Sequence, residues 1–244
     1  MNIHDMAIPD TTTANGQEED SSTDVARPGG RSLRERFNDL PQYARDAILT
    51  KHRDFNVEHI DWWDCVYDDF KTKMEDIGID VDRMYFSGFW SQGDGACFEG
   101  SVYNWPKFLE SRGYDCPALI KHAEDHFKLS VEHSGHYYHE NCTRFSVDLP
   151  LPRHDEDTEF AYDYLTYEEG SIQEATVMAL LNQYVASALE AEFIDAFRDH
   201  MRDLYKQLED EHDHLTSDEA VLDSLEANDL LEDEINDHLE NEDA

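Results

Sequence analysis

Between Val177 and Leu208, the apolar side chains Val177, Leu181, Tyr184, Ala188, Ala191, Ile194, Phe197, Met201, Leu204 and Leu208 recur at a mean step of about 3.4 residues. Only a continuous helix turns them all to one side, so roughly 40 residues are committed to a single element, with Ser171-Ile172-Gln173-Glu174 as its capping box. The step is close to the seam of a coiled coil, which predicts a homodimer through Val177–Leu208 unless the stripe packs on a sheet.

The remaining faces of that helix are acidic. Glu192, Asp195, Asp199, Asp203 and Asp210 stand mostly four apart, about 6 Å per step on a helix. Residues 190–244 hold 21 Asp and Glu against Arg198, Arg202 and Lys206, a net charge of −18. If this segment is helical throughout, one net charge falls every ~4.6 Å. One DNA strand carries a charge about every 3.4 Å. Like charges so placed repel, and a basic partner that grips phosphate would relieve the repulsion. Glu192, Asp195, Asp199, Asp203, Glu209, Asp210, Glu211, Asp213, Asp218, Glu219, Asp223 and Glu226 are therefore the candidate partner-binding carboxylates. Solvation or salt adaptation is the competing explanation, with Arg outnumbering Lys 12 to 7.

The whole chain of 244 residues carries −38, a field that repels DNA, RNA and anionic membranes alike. No run approaches the ~18 apolar residues of a membrane span, and no hydrophobic leader follows Met1. A cytoplasmic protein is expected. Cys65, Cys97, Cys116 and Cys142 are widely spaced, which favours free thiols.

Residues 1–30 are polar and aperiodic and read as a disordered arm. A helical pattern from Ser32 is interrupted at Pro41, and a second helix is expected from Val57 to Ile77, ended by Gly78. Two aromatic runs, 84–90 and 96–103, flank Gly93-Asp94-Gly95 as a hairpin. Asn104 and Asp115 look like N-caps of two short helices. Phe127, Leu129 and Val131 alternate on one strand and Phe145, Val147 and Leu149 on the next, giving a second hairpin. After an acidic connector, 151–170, the long helix follows, and Thr216-Ser217-Asp218-Glu219 opens another. The expected class is α+β: a core over 31–150 with an antiparallel sheet of two hairpins covered by helices, then a long acidic helical region over 171–244.

The block Tyr85-Phe86-Ser87-Gly88-Phe89-Trp90-Ser91-Gln92-Gly93-Asp94-Gly95-Ala96-Cys97-Phe98-Glu99-Gly100 resembles one carried by a family of uncharacterised phage and prophage proteins. Gly135-His136-Tyr137-Tyr138-His139 and the stretch from Leu204 to Val221 are similar to later parts of it. The resemblance implies a viral accessory protein, some relatives being loosely labelled antitoxin-like, and transfers no functional residue.

If the two short helices pair antiparallel, both hairpin tips meet at one end of the sheet, placing Gln92 and Asp94 near His136, Tyr137 and His139. These residue types suit hydrogen bonding and stacking against a partner. His133, His136, His139 and Cys142 are zinc-ligand types, but a three-residue spacing in a hairpin alternates faces, so no metal site is expected. No nucleophile elbow, zinc-protease or dinucleotide motif occurs, and no enzyme activity or cofactor is expected. The leading expectation is an acidic DNA mimic that blocks a basic nucleic-acid-binding host protein, such as a nuclease, a restriction or CRISPR component, or a polymerase. The alternatives are an antitoxin-like or regulatory module binding through the tips and, third, a metal-dependent enzyme.

Overall fold

Proline sets the first division of the chain. The computed structural model, which describes residues 31–58, 61–151 and 172–242, begins with α1 (Leu33–Asp39) and α2 (Gln42–Lys51) on either side of Pro41. Leu40, ahead of Pro41, takes the extended backbone that proline imposes on its predecessor. Ser32 and Glu35 close a capping box at the start of α1.

The second helix is shorter than its periodicity predicts. α3 spans Asp64–Asp76, and Val57, Trp62 and Trp63, expected in its first turns, lie in turns ahead of it. The turn before it, residues 52–57, is tied to the end of the long helix α6 (Ile172–Leu215): Asn56 Nδ2 donates to the Leu215 carbonyl at 2.9 Å and Arg53 to that of Thr216 at 3.0 Å.

β1 (Ile79–Phe86) and β2 (Ala96–Val102) pair antiparallel. β1 starts five residues earlier than expected, because Ile79 and Val81 point into the core between the exposed Asp80 and Asp82. Gly78 makes that start possible with φ +84°, and a Cβ there would fall 2.2 Å from the Asn104 carbonyl oxygen. α4 (Trp105–Ser111) is capped by Asn104, which accepts from Lys107 N, as predicted. α5 (Pro117–His126) is preceded by Cys116 rather than Asp115, because Pro117 fills the first helical position, and no side chain caps it. β3 (Lys128–His133) then pairs with both β2 and β4 (Thr143–Asp148), completing an antiparallel sheet in the order β1-β2-β3-β4. The fold class is α+β, with the sheet flanked by helices and followed by a helical region. The N-terminal arm, Ser171 and nearly all of the connector lie outside the described residues.

α6 lies over the sheet. Phe193, Phe197, Met201, Leu204 and Leu208 are fully buried in one cluster with Phe70 of α3, Phe98 of β2 and Phe108 of α4. Part of the predicted dimer seam is therefore covered by the chain's own sheet, since Phe197, Met201, Leu204 and Leu208 face inward. The buried line runs back through Phe193 and Leu189, whereas Tyr184, Ala188 and Ala191 are exposed. The line from Tyr184 to Leu208 is therefore two stripes offset around the helix, and the side chains of Val177 and Leu181 lie outside those described.

α7 (Asp218–Ala227), capped by the Ser217 hydroxyl accepting from Ala220 N, and α8 (Leu230–Glu242) complete the chain. They enclose a second core with α1 and α2: Phe37, Leu40, Ala44, Ile48 and Leu49 meet Val221, Leu222, Leu225, Leu231 and Ile235. The N-terminal helices, expected to cover the sheet, pack instead on the C-terminal ones. Their charges explain the choice. Arg34 pairs with Asp223 and with Glu226 at 2.9 Å, Arg36 with Glu232 at 3.1 Å, and Lys51 with Glu234 at 2.6 Å. The basic side chains of α1 and α2 thus meet the acidic ones of α7 and α8 around an apolar centre.

Candidate partner-binding surface

The loop from β1 to β2, residues 87–95, is pinned by its own backbone. Ser87 N donates to the Gly95 carbonyl at 3.2 Å and Asp94 N to that of Ser91 at 3.1 Å. The Asp94 carboxylate accepts from Ser91 N at 2.6 Å, so Asp94 shapes the loop. The connection from β3 to β4 is closed by Ser134 N to the Cys142 carbonyl and Cys142 N to the His139 carbonyl, both 2.8 Å.

The two tips meet. A Cβ on Gly93 would fall 2.4 Å from the Tyr137 ring, and one on Gly95 2.9 Å from the Tyr138 carbonyl oxygen. Gln92 and Asp94 therefore stand beside the Tyr137–His139 segment, at one end of the sheet. Tyr85 stacks on Tyr138 with centroids 5.1 Å apart and lies 4.9 Å from the His133 ring, which fixes the second tip to β1. His136 is exposed and its ring contacts Tyr137 at 5.2 Å, while His139 Nδ1 lies 2.9 Å from Glu140. The possible zinc set is dispersed: the His133 ring nitrogen is spent on the Tyr137 carbonyl at 3.2 Å. Among the described residues no three His, Cys, Asp or Glu side chains gather where a metal could be held.

Sequence reasoning missed the aromatic cluster behind the first tip. The Phe89 ring lies 4.9 Å from Phe86, 5.6 Å from both Trp90 and Tyr205, and 5.0 Å from His212. Trp62 touches Trp63, Phe86, Phe89 and His212, and both adjacent tryptophans are half-buried. Trp90 stands at the edge, 81% exposed, its ring 5.2 Å from His212. The available signal was the repeated aromatic at 86, 89 and 90, but its partners on α6 are more than 110 residues away.

The acidic residues divide into groups. Asp195, Asp199, Asp203, Asp210 and Asp213 are exposed along α6, opposite the face that Phe193, Phe197, Met201 and Leu204 anchor. Arg198 lies 3.7 Å from Asp195, Arg202 pairs with Asp199, and Lys206 reaches Glu209 at 2.8 Å and Asp210 at 2.9 Å. Those carboxylates hold Lys206 protonated, pushing its pKa upward. Glu211 is half-buried beside Cys65. Glu192 accepts from the Tyr114 hydroxyl at 2.6 Å and lies 3.7 Å from Arg112. Asp218 pairs with Arg53 at 2.8 Å, and Asp223 and Glu226 with Arg34, while Glu219 lines a cleft with Arg34 and Arg45. Of the twelve candidate carboxylates, Glu192, Asp218, Asp223 and Glu226 thus have partners elsewhere in the chain.

The row on α6 and the tips are neighbours. The Tyr205 hydroxyl donates to the Phe89 carbonyl at 3.4 Å, and burial, then the carboxylates of Asp94 and Glu209, push its pKa up. On the same helix burial holds His200 below its ordinary value of 6.5, against the pull of Asp203, with Arg112 adding to the depression. The folded chain then binds this proton less readily than the unfolded one, so stability present above pH 6.5 is lost as pH falls through the lowered folded value. Thermal melts between about pH 7.5 and 5.5 should show that decline, with a shallower slope in His200→Gln.

The family described as a domain of unknown function, DUF8835, matches residues 62–218, 157 of the 244. The chain belongs to the DUF8835 family. No curated protein and no solved structure matches it. The DUF8835 region contains every buried residue of the first core, both tips and the α6 row; every buried residue of the second core lies outside it. Among the described residues no helix is long and apolar enough to cross a membrane.

Proposed function

We propose that this DUF8835 protein is a phage-type accessory protein without catalytic activity, acting in the cytoplasm of an infected cell. It binds a basic nucleic-acid-binding protein of the host, such as a nuclease, a restriction or CRISPR component, or a polymerase, and occupies the site that protein offers to DNA or RNA. One observation carries the reading: Asp195, Asp199, Asp203, Asp210 and Asp213 project from a helix whose opposite face is locked in the core. A fixed array of anionic groups costs a partner little reorganisation and steers its approach. The ion pairs with Arg198, Arg202 and Lys206 lie within one helix at its surface, where water and salt screen them, and a basic partner can displace them.

The test is capture of host proteins on the immobilised full chain and on the variant Asp195→Lys, Asp199→Lys, Asp203→Lys, Asp213→Lys. A nucleic-acid-binding protein held by the unaltered chain, released by salt or competing DNA, should bind the variant at least ~100-fold more weakly. Equal retention by both overturns the mimicry reading.

The touching of the two tips favours a second reading, an antitoxin-like or regulatory module that reads a protein partner through Gln92, Asp94, His136, Tyr137 and His139. Under that reading Tyr137→Ala abolishes capture and the four-residue α6 variant does not.

A further inference from the structure

We propose that the exposed face of Trp90 is an arginine-binding platform, a subsite on which a guanidinium of the basic partner stacks while neighbouring carboxylates hold its charge. This deepens the proposed function and rests on it. Among the described residues Trp90 is the most exposed of the large apolar side chains, at 81%. It is nevertheless not on a loose loop. Its ring leans on His212 and on Phe89, Phe89 is packed among Phe86, Tyr205 and His212, and the following residue, Ser91, is bonded to Asp94. The indole is thus presented on a rigid base, which keeps the ordering cost of an anchor small.

Its border is anionic. Asp94 closes the Trp90 loop, Glu209 and Asp94 both act on the intervening Tyr205 hydroxyl, and Asp213 follows the histidine on which the indole rests. The adjacent cation, Lys206, is turned onto Glu209 and Asp210. Among the described residues the guanidinium–ring contacts are Arg83 on Tyr85 and Arg198 on Phe145, and neither uses Trp90. Tryptophan is the strongest aromatic partner for a cation, and the planar guanidinium stacks on it where an ammonium remains a hydrated point charge. An acidic surface without such a platform attracts all cations; this one should discriminate between them.

The experiment measures binding of octa-arginine and octa-lysine peptides to the full-length chain and to Trp90→Leu. Arginine also binds carboxylates better than lysine, so the quantity read is the ratio of the two affinities. The arginine peptide should bind more tightly, Trp90→Leu should cut that preference by about five-fold, and octa-lysine binding should be unchanged. The indole N–H resonance missing from the Trp90→Leu spectrum should shift with octa-arginine and stay in place with octa-lysine. An arginine-to-lysine ratio unaltered in Trp90→Leu overturns the platform. If octa-lysine binds the four-residue α6 variant as well as the unaltered chain, the acidic-row reading falls instead. Absence of binding by either peptide at low salt overturns both.

Discussion

Phe197→Ala is expected to lower the unfolding free energy by about 4 kcal/mol, one of the two largest effects anticipated in this chain. Phe197 is fully buried, its ring 5.7 Å from Phe98, 6.0 Å from Phe145 and 6.1 Å from Phe108. It therefore joins α6 to β2, β4 and α4 at once, and truncation removes both the transfer free energy and contacts that rigid neighbours cannot replace. Urea denaturation monitored by tryptophan fluorescence gives the difference, with Asp199→Ala, on the exposed side of the same helix, expected within about 0.5 kcal/mol of the unaltered chain. The measurement also separates packing on the sheet from the seam of a coiled coil. If Phe197 lay between two copies, the loss would depend on protein concentration; packed within one chain, it should not.

Deleting residues 1–51 is expected to unfold α7 and α8 while leaving the DUF8835 core intact. The deletion strips Phe37, Leu40, Ile48 and Leu49 from the second cluster. Each such side chain contributes about 1.5–3 kcal/mol when buried, for a total of roughly 6–12 kcal/mol as an upper estimate. It also takes away Arg34, Arg36 and Lys51, and with them the ion pairs to Asp223, Glu226, Glu232 and Glu234. Helices of 10 and 13 residues are too short to persist alone. In hydrogen exchange, amides of 219–242 should lose protection and those of α3, β1–β4 and the buried length of α6 from Leu189 to Leu208 should keep theirs. A chain of residues 54–218, with both terminal pieces removed, should retain a cooperative transition. Loss of protection across β1–β4 in either deletion would show that the two clusters form one unit.

Local patterns were legible in the sequence where neighbours in the chain decide the structure. The alternation of Leu129 and Val131, the Asn104 cap and the helical stripe to Leu208 each carry their cause within a few residues. The early start of β1 was hidden because Asp80 and Asp82 mask a two-residue alternation that Ile79 and Val81 reveal only once one face is covered. Long-range pairing was the larger loss. Nothing near Arg34 announces Glu226, 192 positions away, and Tyr114, which bonds Glu192, is 78 positions from it. Charge counting identified where the carboxylates lie, and it could not say which of them the chain answers itself. For the candidate surface, the meeting of the tips followed from topology, whereas the Trp62, Phe89 and His212 cluster required α6 to be laid across the sheet.

The contact of α1 with α8 has a mechanical meaning. Arg36 Nη2 donates to Asn236 Oδ1 at 2.8 Å across 200 positions, so the two ends of the described chain are held side by side. Tension applied between them is carried by the small helical bundle before it reaches β1–β4. The bundle is expected to act as a fuse, giving way first and lengthening the tether while the strands and the long helix that support Trp90 stay unloaded. A protein fused to either end could pull on this molecule, and its recognition face would keep its shape until that fuse had opened.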